Sequence, residues 1–188
     1  MRAKGAAVAV VMSQLAWTAG ASAEPQANIA VTTGVAGRGT DAAWWSETKF
    51  HLGGRADVLF GRERNLDFGW GPYAETLTSF DDLTAGGGIS ALVPIHPYLP
   101  AVLSAGGYAW NGPDGGWEPG VTGQLFWGSR SFNYHSWYVM AGGLALQARW
   151  GLGDSKERTI IIAAHIDGEI LALPFLMLFE AVSGPSAE

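Results

Sequence analysis

No cysteine occurs in the 188 residues, which excludes disulfides and thiolate metal sites. Charge is also scarce, at 15% of residues against the roughly 25% of soluble domains. What charge there is leans acidic, with 11 Lys and Arg against 17 Asp and Glu. Without a basic cluster to neutralise phosphates, the chain is not expected to bind nucleic acid. After residue 23 no uncharged run approaches the length of a spanning helix, which excludes a helical membrane protein.

Glycine and aromatics are abundant: 27 Gly, 9 Trp, 8 Phe and 5 Tyr. Disordered glycine-rich chains are poor in aromatics, and these glycines fall inside alternating apolar segments. At the start, Arg2 and Lys4 precede an uncharged stretch from Gly5 to Trp17, followed by Ala21-Ser22-Ala23. A basic start, a short apolar stretch and an A-x-A site predict a cleaved signal peptide over residues 1–23, the alternative being an uncleaved anchor. Its removal takes away Arg2 and Lys4 and moves the formal charge from −6 to −8.

The remaining chain repeats segments of ten to thirteen residues with period two, each bounded by turn chemistry. In 49–60, Phe50, Leu52, Ala56, Val58 and Phe60 alternate with Lys49, His51, Arg55 and Asp57. Side chains alternate along a strand, so one face is apolar and the other charged. The next segment sets Leu66, Phe68, Trp70 and Ala74 against Asp67, Tyr73 and Glu75. Further segments lie at 83–93, 101–110, 117–127 (carrying Glu118), 138–150 (carrying Arg149) and 159–170 (carrying His165, Asp167 and Glu169). With 28–37 they make eight. A tilted membrane-spanning strand takes about 9–11 residues, against about 5–6 in soluble proteins. The expected fold is therefore all-β: a closed antiparallel up-and-down barrel, apolar outside, over residues 24–180, with 181–188 a polar tail.

If the first strand runs outward, Trp44, Trp45, Trp110, Trp117 and Trp150 fall near one rim. Phe60, Phe68, Trp127, Trp137 and Tyr138 fall near the other, as expected of rings at two membrane interfaces. The connection 38–47, the longest expected, then lies on the outer side. A soluble lipocalin-like barrel is the rival, but it needs the opposite partition, apolar within and polar without.

In these features the chain resembles the small eight-stranded outer-membrane barrels of the OmpA and OmpX kind, across residues 28–170 and by pattern, not by a shared motif. The resemblance implies a monomer, short periplasmic turns, mobile outer loops, a place among outer-membrane lipids and insertion by the outer-membrane assembly machinery. Such barrels end on an aromatic; here nine residues follow Phe179, and Pro174 interrupts 171–179. That run is expected to be a short interfacial helix or a distorted strand.

The lumen is expected to hold Lys49, His51, Arg55, Asp57, Asp67, Glu75, Glu118, Arg149, His165, Asp167 and Glu169. Buried charges must be paired, and eight strands leave room only for side chains, so an acid-rich but interlocked core is expected. His165-x-Asp167-x-Glu169 offers metal-ligand chemistry, yet alternate strand residues lie too far apart for one ion. Asn133-Tyr134-His135-Ser136 joins a hydroxyl to an imidazole but reads as a polar turn. Gly86-Gly87-Gly88 lacks the Lys-Ser/Thr of a phosphate loop, and the inward glycines are expected to make room for Tyr73 and Tyr108. No cofactor and no catalytic set is expected. The expected role is structural or surface-interacting; the alternatives are a narrow pore or small-ligand binder, and a lipid-modifying enzyme.

Overall fold

The computed structural model describes residues 24–113, 115–130 and 137–183. The expected signal peptide, the hydroxyl–imidazole turn at 133–136 and residues 184–188 lie outside the described residues. The alternating segments form eight antiparallel strands: β1 (Gln26–Gly39), β2 (Glu47–Leu59), β3 (Gly69–Thr78), β4 (Leu83–Val93), β5 (Ala101–Asn111), β6 (Trp117–Arg130), β7 (Ala141–Gly151) and β8 (Arg158–Asp167). A helix, α1 (Gly168–Ser183), follows. Each strand pairs with the next, and β8 closes on β1 from Ala30↔Asp167 to Gly39↔Arg158. The closed ladder leaves no sheet edge.

Strand ends shift from the expected bounds for local reasons. β3 starts at Gly69, not Leu66, because the Asp67 carboxylate accepts the backbone N–H groups of Glu63 (2.9 Å) and Arg64 (2.7 Å) and closes a turn. β8 stops at Asp167, not Ile170, because Asp167 caps α1 by accepting the Glu169 N–H at 2.8 Å. Residues Trp137–Val139 fold across the strand end instead of starting β7; Ala27 donates to the Trp137 carbonyl and accepts from the Val139 N–H.

Alternation places Ile29, Val35, Phe50, Ile89, Leu103, Leu125, Leu144 and Ile162 on the exposed outer wall. The interior is layered. Near the end bearing the termini, Leu59, Leu92, Val102, Phe126 and Ala141 form one apolar cluster. Toward the far end, Ala36, Leu77, Ile161 and Ala163 form another. Polar side chains fill the middle. Glycine makes two of these contacts possible: a Cβ on Gly120 would lie 2.2 Å from the Tyr108 ring, and one on Gly69 would lie 2.7 Å from the Arg62 side chain.

Connection lengths depart from expectation. The far end carries 40–46, 79–82, 112–116 and 152–157, whereas 60–68, 94–100 and 131–140 sit at the terminal end. Among the fully described connections the longest is 60–68 at the terminal end, not the one after β1. Extending β1 to Gly39 and starting β2 at Glu47 shortens that first turn.

Candidate functional site

Arg55 organises the middle of the lumen. It faces Glu75 across the β2–β3 register and donates to Glu75 at 3.2 Å, Gln124 at 2.7 Å, Ser90 at 2.9 Å and Ser104 at 2.7 Å. Its guanidinium lies 3.9 Å over the Tyr73 ring. A planar fork of five donors suits such a junction of several strands. From β7, Gln147 donates to Glu75 (2.7 Å) and Thr122 (2.9 Å), completing a bridge from wall to wall.

Toward the terminal end, Arg130 clasps Asp57 with two bonds, at 2.5 and 3.2 Å. Arg62, on the β2–β3 connection, enters the barrel and donates to Gln26 at 2.7 Å. Burial, helped by the charge of Arg130, pulls its guanidinium pKa down to about 10, which leaves it protonated at neutral pH. Asp167 is fully buried and accepts from Asn28 (2.8 Å), Tyr138 (3.1 Å) and the Ala141 N–H (3.0 Å).

Toward the far end, Arg149 donates to Thr84 at 2.8 Å and lies 4.3 Å over the Tyr108 ring, whose hydroxyl donates to Glu157 at 2.6 Å. Above them Arg38 pairs with Asp82, which also accepts the Trp110 indole N–H at 2.9 Å. Lys49 pairs with Asp81 and, at 3.1 Å, with Glu47 at the mouth. The Lys49 hydrogen bond holds the Asp81 carboxyl below its usual 3.8.

These contacts revise the expected lumen. His51, Arg55, Asp57, Glu75, Arg149, His165 and Asp167 face inward and are buried, and Lys49 stands at the mouth. Asp67 instead closes the β2–β3 turn, Glu169 is exposed on α1, and Glu118 sits at the rim, where it accepts from the Ser155 backbone and hydroxyl. Five residues missing from the expectation complete the core: Arg38, Arg62, Arg130, Asp82 and Glu157. Among the described residues, Arg38, Arg55, Arg62, Arg130 and Arg149 are matched by Asp57, Glu75, Asp82, Glu157 and Asp167. The core is charge-balanced, not acid-rich. Period two already marked Arg38 and Arg130, which share parity with Thr32 and Gln124; Arg62, Asp82 and Glu157 enter from turns, where no period applies.

The outer wall carries two bands of rings. Trp45, Trp117 and Trp150 are exposed at the far rim, with Trp44 packed edge-on to Trp150 at 5.1 Å. Phe60, Phe68, Trp70, Trp127 and Trp137 are exposed at the terminal rim. Trp110 corrects the expectation: it points inward at 7% exposure, with Arg38 5.5 Å over its ring. Tyr138 is half-buried against Asp167.

The chain matches no family model and no curated protein. Among solved structures it is similar to Ail, the attachment invasion locus protein of Yersinia pestis, solved with the heparin analogue sucrose octasulfate. The two are 12% identical, the match covers 76% of this chain and 99% of Ail, and the TM-score is 0.37. The eight-stranded closure of the present chain rests on its own ladder registers.

Among the described residues no three His, Asp or Glu converge as metal ligands; His165 and Asp167 face the lumen while Glu169 leaves on α1. Thr32 Oγ1 and His51 Nε2 lie 3.3 Å apart, the arrangement of an activated hydroxyl. Both are at least nine-tenths buried.

Proposed function

We propose that the chain is an integral outer-membrane barrel that stands as a monomer with a filled lumen and serves an envelope-stabilising role. One observation carries the reading: the partition is inverted, with Leu, Ile, Val and Trp exposed on the wall and five arginines buried against five carboxylates within. In water that wall would be a large exposed apolar patch; in lipid it is the expected surface. Residues 1–23 act as the export signal, the assembly machinery inserts the mature chain, and the two bands of rings mark the interfaces. With the termini on the inner side, only short connections face outward. This favours a structural role over recognition by long loops, although surface interaction through the far-end turns belongs to the same reading.

Three measurements test it. The protein is expected to fractionate with outer membranes and to migrate faster unheated than heated on a gel; a monomer soluble without detergent would refute the membrane reading. In planar bilayers the filled lumen predicts no steady current. Stable single-channel steps would establish the pore alternative instead.

A further inference from the structure

On the outer wall, two depressions join. One, of 650 Å³, crosses β4 to β7; the other, of 290 Å³, runs on to the far rim. They share a floor at Gly123 and Ala148. Ala105 deepens the floor, and Leu103, Leu125 and Leu146 form the walls of the larger one. Both depressions are shallow and open to the surroundings, and the lining is almost wholly apolar.

The groove ends at Trp44 and Trp150. There Arg158, which pairs with Trp150 across β7–β8, lays its guanidinium 4.4 Å over the Trp150 ring and 5.3 Å over Trp44. Among the described residues no carboxylate forms an ion pair with Arg158, and its enclosed Nε meets no acceptor. Its chain neighbour Glu157 turns inward to Tyr108 and Thr159. In the same turn Asp154 and Lys156 offset one another in charge. Among the described residues every arginine inside the barrel has a polar or acidic partner, whereas this one, on the outside, is held by two indoles and meets no carboxylate.

We infer that this groove and Arg158 form a binding site for one lipid, its acyl chain lying along Gly123 and Ala148 and its anionic phosphate meeting Arg158 at the far rim. The inference rests on the membrane reading above. An apolar trough continuous with a lipid-facing wall takes a chain of lipid, and a guanidinium without a carboxylate matches a phosphate by charge and by its paired donors. The flanking indoles fix the guanidinium at headgroup level, where such rings settle.

The test uses the full mature chain reconstituted in dioleoylphosphatidylcholine vesicles containing a minor share of dioleoylphosphatidic acid, with bound lipid counted by native mass spectrometry after gentle extraction. Two variants separate the parts. Gly123→Phe fills the trough, and its Cβ would meet nothing nearer than the Ser104 carbonyl at 4.0 Å, so the barrel itself is unstrained. Arg158→Gln removes the charge. The wild type is expected to retain one phosphatidic acid with about tenfold enrichment over its bulk share, the scale of one charge-assisted contact. Each variant is expected to lose that enrichment while keeping heat-modifiable migration. A wild type that inserts but enriches neither lipid overturns the site and leaves the membrane reading standing. So does enrichment that survives both variants. A wild type that folds in buffer and does not enter vesicles sinks the membrane reading, and this site with it.

Discussion

At the scale of single residues, the barrel is held by a few buried groups with many partners. Arg55 reaches side chains on four other strands. Replacing it by Ala strands Glu75 in the core, and breaking a buried pair costs about 3–5 kcal/mol. Urea unfolding in vesicles is expected to show a loss of that size, and the double replacement Arg55→Met with Glu75→Leu is expected to lose less than Arg55→Ala alone. Gly120 is a steric counterpart. Gly120→Ala drives a methyl into the Tyr108 ring and is expected to cost about 1–3 kcal/mol as overpacking. Tyr108→Ala in the same chain relieves that clash, so the two losses fall short of additive. At the mouth, Asp81 is held ionised mainly by the Lys49 hydrogen bond. A lowered folded pKa means that its contribution is present above the unfolded value and is lost as pH falls through the folded one. NMR titration is expected to place Asp81 below 3.8, and Lys49→Gln to return it toward that value. Because the pair is exposed, its effect on stability is small.

Strands and helix tell different stories about what the sequence reveals. The strands were legible because alternation repeats eight times: the bounds of β4 agree to the residue, and Phe50 to Phe60 face outward as their parity requires. Their ends were less legible, because there a turn-closing carboxylate competes with the ladder. Asp67 and Glu169 share the parity of the lumen yet leave it, the first to cap a turn and the second because Asp167 starts a helix first. Trp110 was misplaced because parity near a rim was outweighed by its ring type. α1 was only half legible. It is mostly apolar, with Phe175 and Phe179 more than 70% exposed, and Pro174 removes one backbone bond within it. Sixteen residues reach about 24 Å at 1.5 Å each, short of a hydrocarbon core of about 30 Å, and among the described residues no helix is long and apolar enough to cross a membrane. A helix whose exposed face is this rich in Leu, Ile, Met and Phe suits a lipid surface. Phe175→Trp in vesicles is expected to emit at blue-shifted wavelength and to be quenched by brominated acyl chains; emission as in water would refute this placement.

For the whole molecule, the decisive property is balance. An acid-rich lumen would draw cations and water inward; among the described residues five buried arginines equal five buried carboxylates in number, which leaves little net field to do so. The composition could not reveal this, since the overall acidic excess of the chain resides in its turns and exposed ends, at Glu63, Asp81 and Asp154 among others. Closure adds a further consequence. The seam joins the first strand to the last, and Asp167 on β8 gathers Asn28, Tyr138 and Ala141, the farthest 139 residues away in the chain. Contacts so distant in sequence form slowly, and until they do β1 offers an open edge to any passing strand. A ribosome-truncated copy lacking β8 would carry that open edge permanently. Asp167 can gather these partners only once the final strand is in place.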